Sequence, residues 1–264
     1  MGFIIMAAAA LAMVAVMVCA WAVARKTGNG GWIDVFWTFG CGALGIAFAA
    51  APTAGPEVTW RQMAVAILVA LWAMRLGVYV LARVASGPED ARYAVLREAW
   101  GPRYASRLLG FAILQAAAAI GLALVMRLAA INPDRHLRLF DLLGVAVMVA
   151  AVGGEAIADA QLARFKAEPA NHGKVCDIGL WSWSRHPNYF FEWLGWLAYP
   201  LFAIDPGGEG WRWFSLLGPI LMYAILVHGS GIPPLERHIL RSRGEAYRAY
   251  QARTSAFIPR PPRR

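Results

Sequence analysis

"SRHPNYFFEWLGW", residues 184–196, sets four polar side chains, Ser184, Arg185, His186 and Asn188, directly ahead of an apolar run that carries one carboxylate, Glu192. Ionisable groups are expensive in hydrocarbon, so a membrane helix that keeps one uses it. Pro187 suits the first turn of a helix, and Asn188 and Glu192, four residues apart, share one face. The stretch reads as an interfacial loop feeding a spanning helix. The helix N-terminus adds partial positive charge and free N–H groups beside Arg185 and His186, a combination suited to an anion such as a phosphate.

The rest of the chain supports a bilayer setting. Of 264 residues, 59% are apolar and only 16% charged, where soluble domains carry about 25% charged residues. A span needs about 20 mainly apolar residues, and seven segments qualify: 2–24, 32–50, 62–82, 108–126, 139–160, 188–204 and 211–229. The expected fold is therefore all-α, a polytopic membrane bundle of about seven transmembrane helices in a single domain over 1–264. Of 25 Lys and Arg, 19 fall in segments 25–31, 83–107, 161–187 and 230–264, and five fall in the connections on the other side. That asymmetry predicts an outside N-terminus and a cytoplasmic C-terminus. Abundant Ala, Arg, Gly and Trp suggest a high-GC bacterial chain, which places it in the inner membrane.

The N-terminal apolar run precedes Arg25 and Lys26, the reverse of a cleaved signal, so it reads as a retained span. Cys19, Cys41 and Cys176 lack metal-ligand spacing and read as small packing residues. No metal site is expected. The net charge of +9 is explained mostly by topology and anionic headgroups. Nucleic acid is not expected as a partner, because no basic tract is interleaved with aromatics in a soluble domain. Rossmann, Walker, HExxH and G-x-S-x-G signatures are absent.

Three further groups carry candidate chemistry. In "GGEAIADAQLARFK", 153–166, Glu155 and Asp159 share a helix face that runs on to Lys166, with Arg164 nearby. Two carboxylates within one turn at the edge of a bilayer predict a hydrogen-bond donor or a positive charge packed against them. In "GGWIDVFW", Asp34 stands among Trp32, Ile33, Val35, Phe36 and Trp37, a desolvated carboxyl suited to donating a hydrogen bond to a substrate oxygen. Arg75 lies inside a span and should meet a carboxylate, Asp34 or a ligand. Tyr93 follows "SGPEDAR" in a cytoplasmic loop. The tail, "LERHILRSRGEAYRAYQARTSAFIPRPPRR", reads as an amphipathic helix on the bundle or membrane surface. In it, Arg237 and Arg241 share a face and Tyr247 lies further along.

The stretches "EAIADAQLARFK" and "GLWSWSRHPNYFFEWLGW", with "YRAYQARTSAFIP", resemble the steroid 5α-reductase family, in its bacterial branch of small membrane proteins. The likeness covers about residues 140–260 well and 30–107 loosely. The RHPxY core is shared with isoprenylcysteine and phospholipid methyltransferases. The resemblance implies a seven-helix reductase using NADPH, with residues 1–135 on the substrate side and 136–264 on the cofactor side. By motif, Asp159, Lys166, Asn188 and Glu192 would contact the nicotinamide nucleotide. Arg164, Arg185 and His186 would lie near its phosphates, with Arg237, Arg241 and Tyr247 as neighbours. Asp34 would be the acid that polarises a ketone, with Tyr79 or Tyr93 in place of the family's tyrosine, since Trp72 stands near that position; Ala163 stands where animal members have an arginine. The implied reaction is reduction of the enone double bond of a 3-oxo-Δ4 steroid or similar lipid, with Asp34, Tyr93 and Arg75 as catalytic candidates. The alternatives are a membrane methyltransferase using S-adenosylmethionine and a non-catalytic lipid-binding protein.

Overall fold

The computed structural model describes residues 1–53, 57–205 and 207–262. Helices α1 (Gly2–Thr27), α2 (Trp32–Ala50), α3 (Trp60–Ser86), α4 (Ala91–Trp100), α5 (Tyr104–Ala130) and α6 (Leu139–Ala167) come first. The shorter α7 (Pro187–Trp196), α8 (Ala198–Ala203), α9 (Leu217–Tyr223), α10 (Ile232–Arg243) and α11 (Glu245–Arg253) follow. There is no strand among the described residues, only an isolated bridge between Ser184 and Ser255. The all-α expectation holds.

Among the described residues, six stretches are long and apolar enough to cross a membrane: Gly2–Thr27, Trp32–Ala50, Trp60–Ser86, Ala91–Ala130, Leu139–Ala167 and Gly210–Arg243. The chain is a multi-pass membrane protein. The expected span 188–204 is not one helix but two, α7 and α8, meeting at Leu197. Pro200 accounts for the break, since it has no N–H to give the carbonyl of Trp196 one turn earlier. The last stretch is also irregular, with a 3-10 segment Gly210–Leu216 before α9 and a π turn Ala224–His228 after it. The tail is two helices rather than one. Gly244, at φ +52, ends α10 and starts α11 in a conformation that other residues rarely adopt.

The chain divides into two compact units. The first holds Met1–Val145 and Ala198–Gly218; the second holds Ala146–Leu197 and Pro219–Arg264. In the first, α2 and α5 are central: α2 packs on α1, α3 and α5, and α5 also meets α1, α3, α4 and α8. Helix association in lipid lacks a hydrophobic drive and relies on close packing of small residues. Helix α5 accordingly buries Ala112, Ala116, Ala119, Ala123, Met126 and Ala130 along one stripe. Gly42 of α2 lies so close to Ala73 of α3 that a Cβ at Gly42 would overlap the alanine methyl. The other face of α3 presents Met63, Ile67, Leu71, Met74 and Val78. Apolar residues all round are the mark of a helix in lipid.

One end of this unit is tied by buried guanidiniums. Arg61 donates to both oxygens of Asp141, at 3.2 and 2.8 Å, and to the carbonyls of Asn132, Asp134 and His136. Arg138 grips the same carboxylate at 2.8 and 3.2 Å and reaches the carbonyls of Phe202 and Ile204 around the end of α8. Arg127 and Gln62 cap the carbonyls that end α2, at Phe48, Ala49 and Ala51. Helix ends leave such carbonyls without partners, and basic side chains there also oppose the helix dipole. Asp141→Ala would leave Arg61 and Arg138 without their shared counter-charge. We expect a loss of about 3–5 kcal/mol, the usual effect of breaking a buried pair, read as a lowered thermal midpoint in detergent.

Candidate functional site

In the first unit the site is built on the α1–α2 turn. Gly28, at φ +71, ends α1. The next residues are then pinned: Asn29 Oδ1 accepts from Gly31 N, and Gly30 N donates to Glu89 Oε1 at 2.8 Å. Arg97 of α4 clasps Glu89 at 2.8 Å and donates to the Gly28 carbonyl at 2.9 Å. These bonds hold α4 over the start of α2. Tyr93 O–H then donates to Asp34 Oδ1 at 2.7 Å, and Arg92 Nη2 donates to Asp34 Oδ2 at 2.5 Å. Tyr93 is buried.

Asp90 caps α4 by accepting from Arg92 N, and its carboxylate also pairs with the Arg92 and Arg83 side chains. Burial pushes Asp90 up, yet the guanidiniums of Arg92 and Arg83 outweigh it and hold the carboxyl well below its usual range. Asp34 therefore accepts on both oxygens, where the sequence suggested a donor. Of the two tyrosines weighed, Tyr93 is the one that reaches it. Arg75 lies with its guanidinium 5.5 Å from the centre of the Tyr79 ring, and the cation on Asp34 is Arg92.

In the second unit the turn Gly179–Ser182 docks on α6. Trp181 Nε1 donates to the Ala158 carbonyl at 2.9 Å, and Gln161 Oε1 accepts from Leu180 N. That contact delivers residues 184–188 to the C-terminal half of α6. Glu155, Asp159 and Glu192 are all buried. Asn188 Nδ2 donates to Asp159 Oδ1 at 3.3 Å, the kind of donor that the pair of carboxylates predicted. Glu192 Oε1 accepts from Trp196 Nε1 at 3.0 Å. The close approach of α6 and α7 depends on Gly154, where a Cβ would run into the ring of Phe191.

Arg185, His186 and Tyr247 meet at a residue outside the expected set, Glu236 of α10. Its Oε1 accepts from Arg185 Nε at 2.7 Å, His186 Nε2 at 3.0 Å and Tyr247 O–H at 3.1 Å. Its Oε2 accepts from Gln251 Nε2 at 2.8 Å and Arg185 Nη2 at 3.3 Å. Arg185 Nη1 also reaches the carbonyl of Thr254 at 2.6 Å. Burial, more than the charge of Glu236, drives up the Tyr247 hydroxyl. Arg164, Lys166, Arg237 and Arg241 are exposed.

The structure thus joins Asp34 with Tyr93, Asp159 with Asn188, and Arg185 with His186 and Tyr247. Sequence reasoning missed Gln251, and it noted Arg92 at a helix start and Glu236 in the tail without finding the partners of either. Arg92 was legible in principle, since it stands between its cap Asp90 and Tyr93. Glu236 was not, because its partners come from three separate segments. Cys41 and Cys176 are buried as expected, while Cys19 is exposed. Among the described residues, no group of His, Cys, Asp and Glu is arranged to hold a metal ion.

Burial dominates at His186 and holds its imidazole below the ordinary value of 6.5, against the pull of Glu236. A neutral ring there donates from Nε2. Because the folded value is depressed, the unfolded chain binds more protons below 6.5. The contribution is complete above that value and is lost as pH falls through the lowered one. The thermal midpoint should fall between about pH 7 and about pH 5, with a shallower slope in His186→Gln, as linkage requires.

Comparisons with known proteins carry no activity. The chain is 31% identical over 100 residues to "Uncharacterized protein C594.04c" of Schizosaccharomyces pombe, a match covering 37% of this chain and 27% of that protein. It therefore spans about a quarter of that relative's length. No solved structure matches. A family model described as "Protein of unknown function (DUF1295)" matches residues 20–254, and the chain belongs to that family.

Proposed function

We propose that this protein is a membrane reductase that saturates the enone double bond of steroid-like lipids at the expense of NADPH. The observation that carries the reading is the 2.7 Å bond between Tyr93 and Asp34 at the start of α2. An early acid and a tyrosine that act together on a ketone are the pair that the resemblance to steroid 5α-reductases calls for. The basic asymmetry of the sequence, 19 of 25 cations on one side, supports a cytoplasmic tail in a bacterial inner membrane.

The residues of the second unit fit a nicotinamide nucleotide in part. A carboxamide offers two N–H donors and one acceptor, and buried Asp159 with half-buried Asn188 presents a carboxylate beside an amide. Glu192 is a second buried carboxylate on the same face as Asn188. The exposed cations Arg164, Lys166, Arg237 and Arg241 suit phosphates. Arg185 and His186 suit them less well, because their donors already serve Glu236. In this reading they brace the wall of the site rather than touch a phosphate. When bound, NADPH supplies the hydride.

The chain's own part is to polarise the carbonyl. Tyr93 turns its O–H toward the substrate oxygen, and the donor strengthens its bond as negative charge grows on that oxygen in the enolate-like transition state. Asp34 holds the phenol in place until the substrate arrives, and Arg92 balances the carboxylate once the O–H has turned away. The hydride arrives at the β carbon, the α carbon takes a proton from water, and the product gains two hydrogens. The apolar exposed face of α3 is compatible with a substrate that reaches the protein from lipid.

The test is turnover in detergent with NADPH and testosterone or progesterone, following cofactor absorbance and product mass. We expect a product two hydrogens heavier. Tyr93→Phe should lower kcat/KM by about 10²–10³, the usual loss on removing an oxyanion donor, and Asp34→Asn should lower it as well, by releasing the phenol that Asp34 holds. Methyl transfer from S-adenosylmethionine with no enone reduced would overturn the reading.

A further inference from the structure

We propose that the second unit carries a phosphate-binding cleft between the end of α11 and the chain just after it. The cleft encloses about 230 Å³ and is lined by Arg185, Arg253 and Arg260, the hydroxyl residues Thr254 and Ser255, and the backbone of 251–256. No acidic residue lines it. It lies apart from the residues assigned above to a cofactor except for Arg185, and it does not depend on the reductase reading.

The walls are built rather than accidental. Residues 254–260 run beside residues 183–185: Arg185 N donates to the Ser255 carbonyl at 2.8 Å, and Arg260 N donates to the Trp183 carbonyl at 2.9 Å. Ser184 Oγ donates to the Phe257 carbonyl at 2.8 Å. The Phe257 ring is buried and packs edge-on against Phe190, Trp193 and Tyr223, with centroids 5.5–5.9 Å apart. This anchoring fixes the stretch that ends in Arg260, so that residue reaches the rim with its backbone already committed.

The three guanidiniums then play different parts. Arg185 is the back wall: Glu236 neutralises it, and its Nη1 covers the carbonyls of Gln251 and Thr254 that end α11. Covering those carbonyls removes the negative helix end that would otherwise repel an anion. Arg253, half-exposed, pairs with Asp177 across the rim. Such exposed pairs are weak, so a doubly charged ligand can recruit the guanidinium. Arg260 is exposed, and no hydrogen bond or ion pair engages its side chain among the described residues. Two guanidiniums and two hydroxyl residues lining one cleft suit a tetrahedral anion, which arginine forks grip in bidentate fashion. The volume leaves room for a phosphate with part of its ester. That ester is either a lipid headgroup or a soluble molecule, and the chemistry is shared.

Purified protein would be titrated with inorganic phosphate in a neutral detergent, and separately reconstituted in nanodiscs of phosphatidylcholine with or without phosphatidylglycerol. The readouts are the thermal midpoint and ³¹P line broadening. We expect a saturable midpoint rise with phosphate, weakened about ten-fold or more in Arg260→Ala and in Arg253→Ala, as befits a lost charge-assisted bond. Arg107→Ala removes an exposed charge in the first unit and should leave the titration as it was. A rise with phosphatidylglycerol as well would assign a headgroup; a rise with phosphate alone would assign a soluble ester. No saturable response in either arm, or an equal loss in Arg107→Ala, would overturn the proposal. Arg260→Ala keeps its backbone bond to Trp183 and should melt like the wild type without ligand, which separates lost binding from lost folding.

Discussion

A charged side chain in hydrocarbon is costly until it meets a counter-charge or a carbonyl, and three carboxylates of this chain show how that constraint is met. Asp141 gathers Arg61 and Arg138. Asp34 gathers Arg92 and Tyr93. Glu236 gathers Arg185, His186, Tyr247 and Gln251. Each draws at least one donor from a segment 50 or more residues away in the chain. Close packing of small residues lets lipid-embedded helices approach, but it leaves their register loosely specified. A carboxylate with several fixed donors specifies that register, because sliding a helix by one turn would strand every group at once.

The three nodes differ in what they leave available. Around Asp141 all the geometry is inward: guanidiniums satisfy carboxylate and helix-ending carbonyls together, and the result is a structural clasp. Around Glu236, five donors on two oxygens use up the carboxylate and most of Arg185. That node locks the segment before α7 to the tail. Asp34 is more lightly held, with one phenol and one guanidinium, and the phenol is the group best placed to exchange its partner. A hydroxyl can turn from a carboxylate to an incoming oxygen without a change in fold, which suits chemistry better than either closed clasp.

The clasp at Glu236 also changes how the polar stretch before α7 is understood. Arg185 and His186 stand where an anion would be welcome, yet their donors point at a neighbouring helix of their own unit. The positive potential that remains in that unit lies on exposed cations and along the cleft at the end of α11. Charge in the sequence thus divides into groups that build the wall and groups that face outward, and only their hydrogen-bond partners tell them apart.

By itself, the amino-acid sequence determined the helical class, the membrane setting, the approximate positions of most spans and the carboxylate–amide faces at Asp159 and Asn188, because hydropathy and helical period are local properties. It also carried the break in 188–204, in Pro200, although an average of hydropathy passes over it. Tertiary structure alone decided that Tyr93 rather than Tyr79 reaches Asp34, that Arg92 is its cation, and that Glu236 collects Arg185, His186 and Tyr247. Those are encounters between residues about 10 to 60 positions apart. They depend on where whole helices come to rest, and no local pattern of apolar and polar residues encodes that placement.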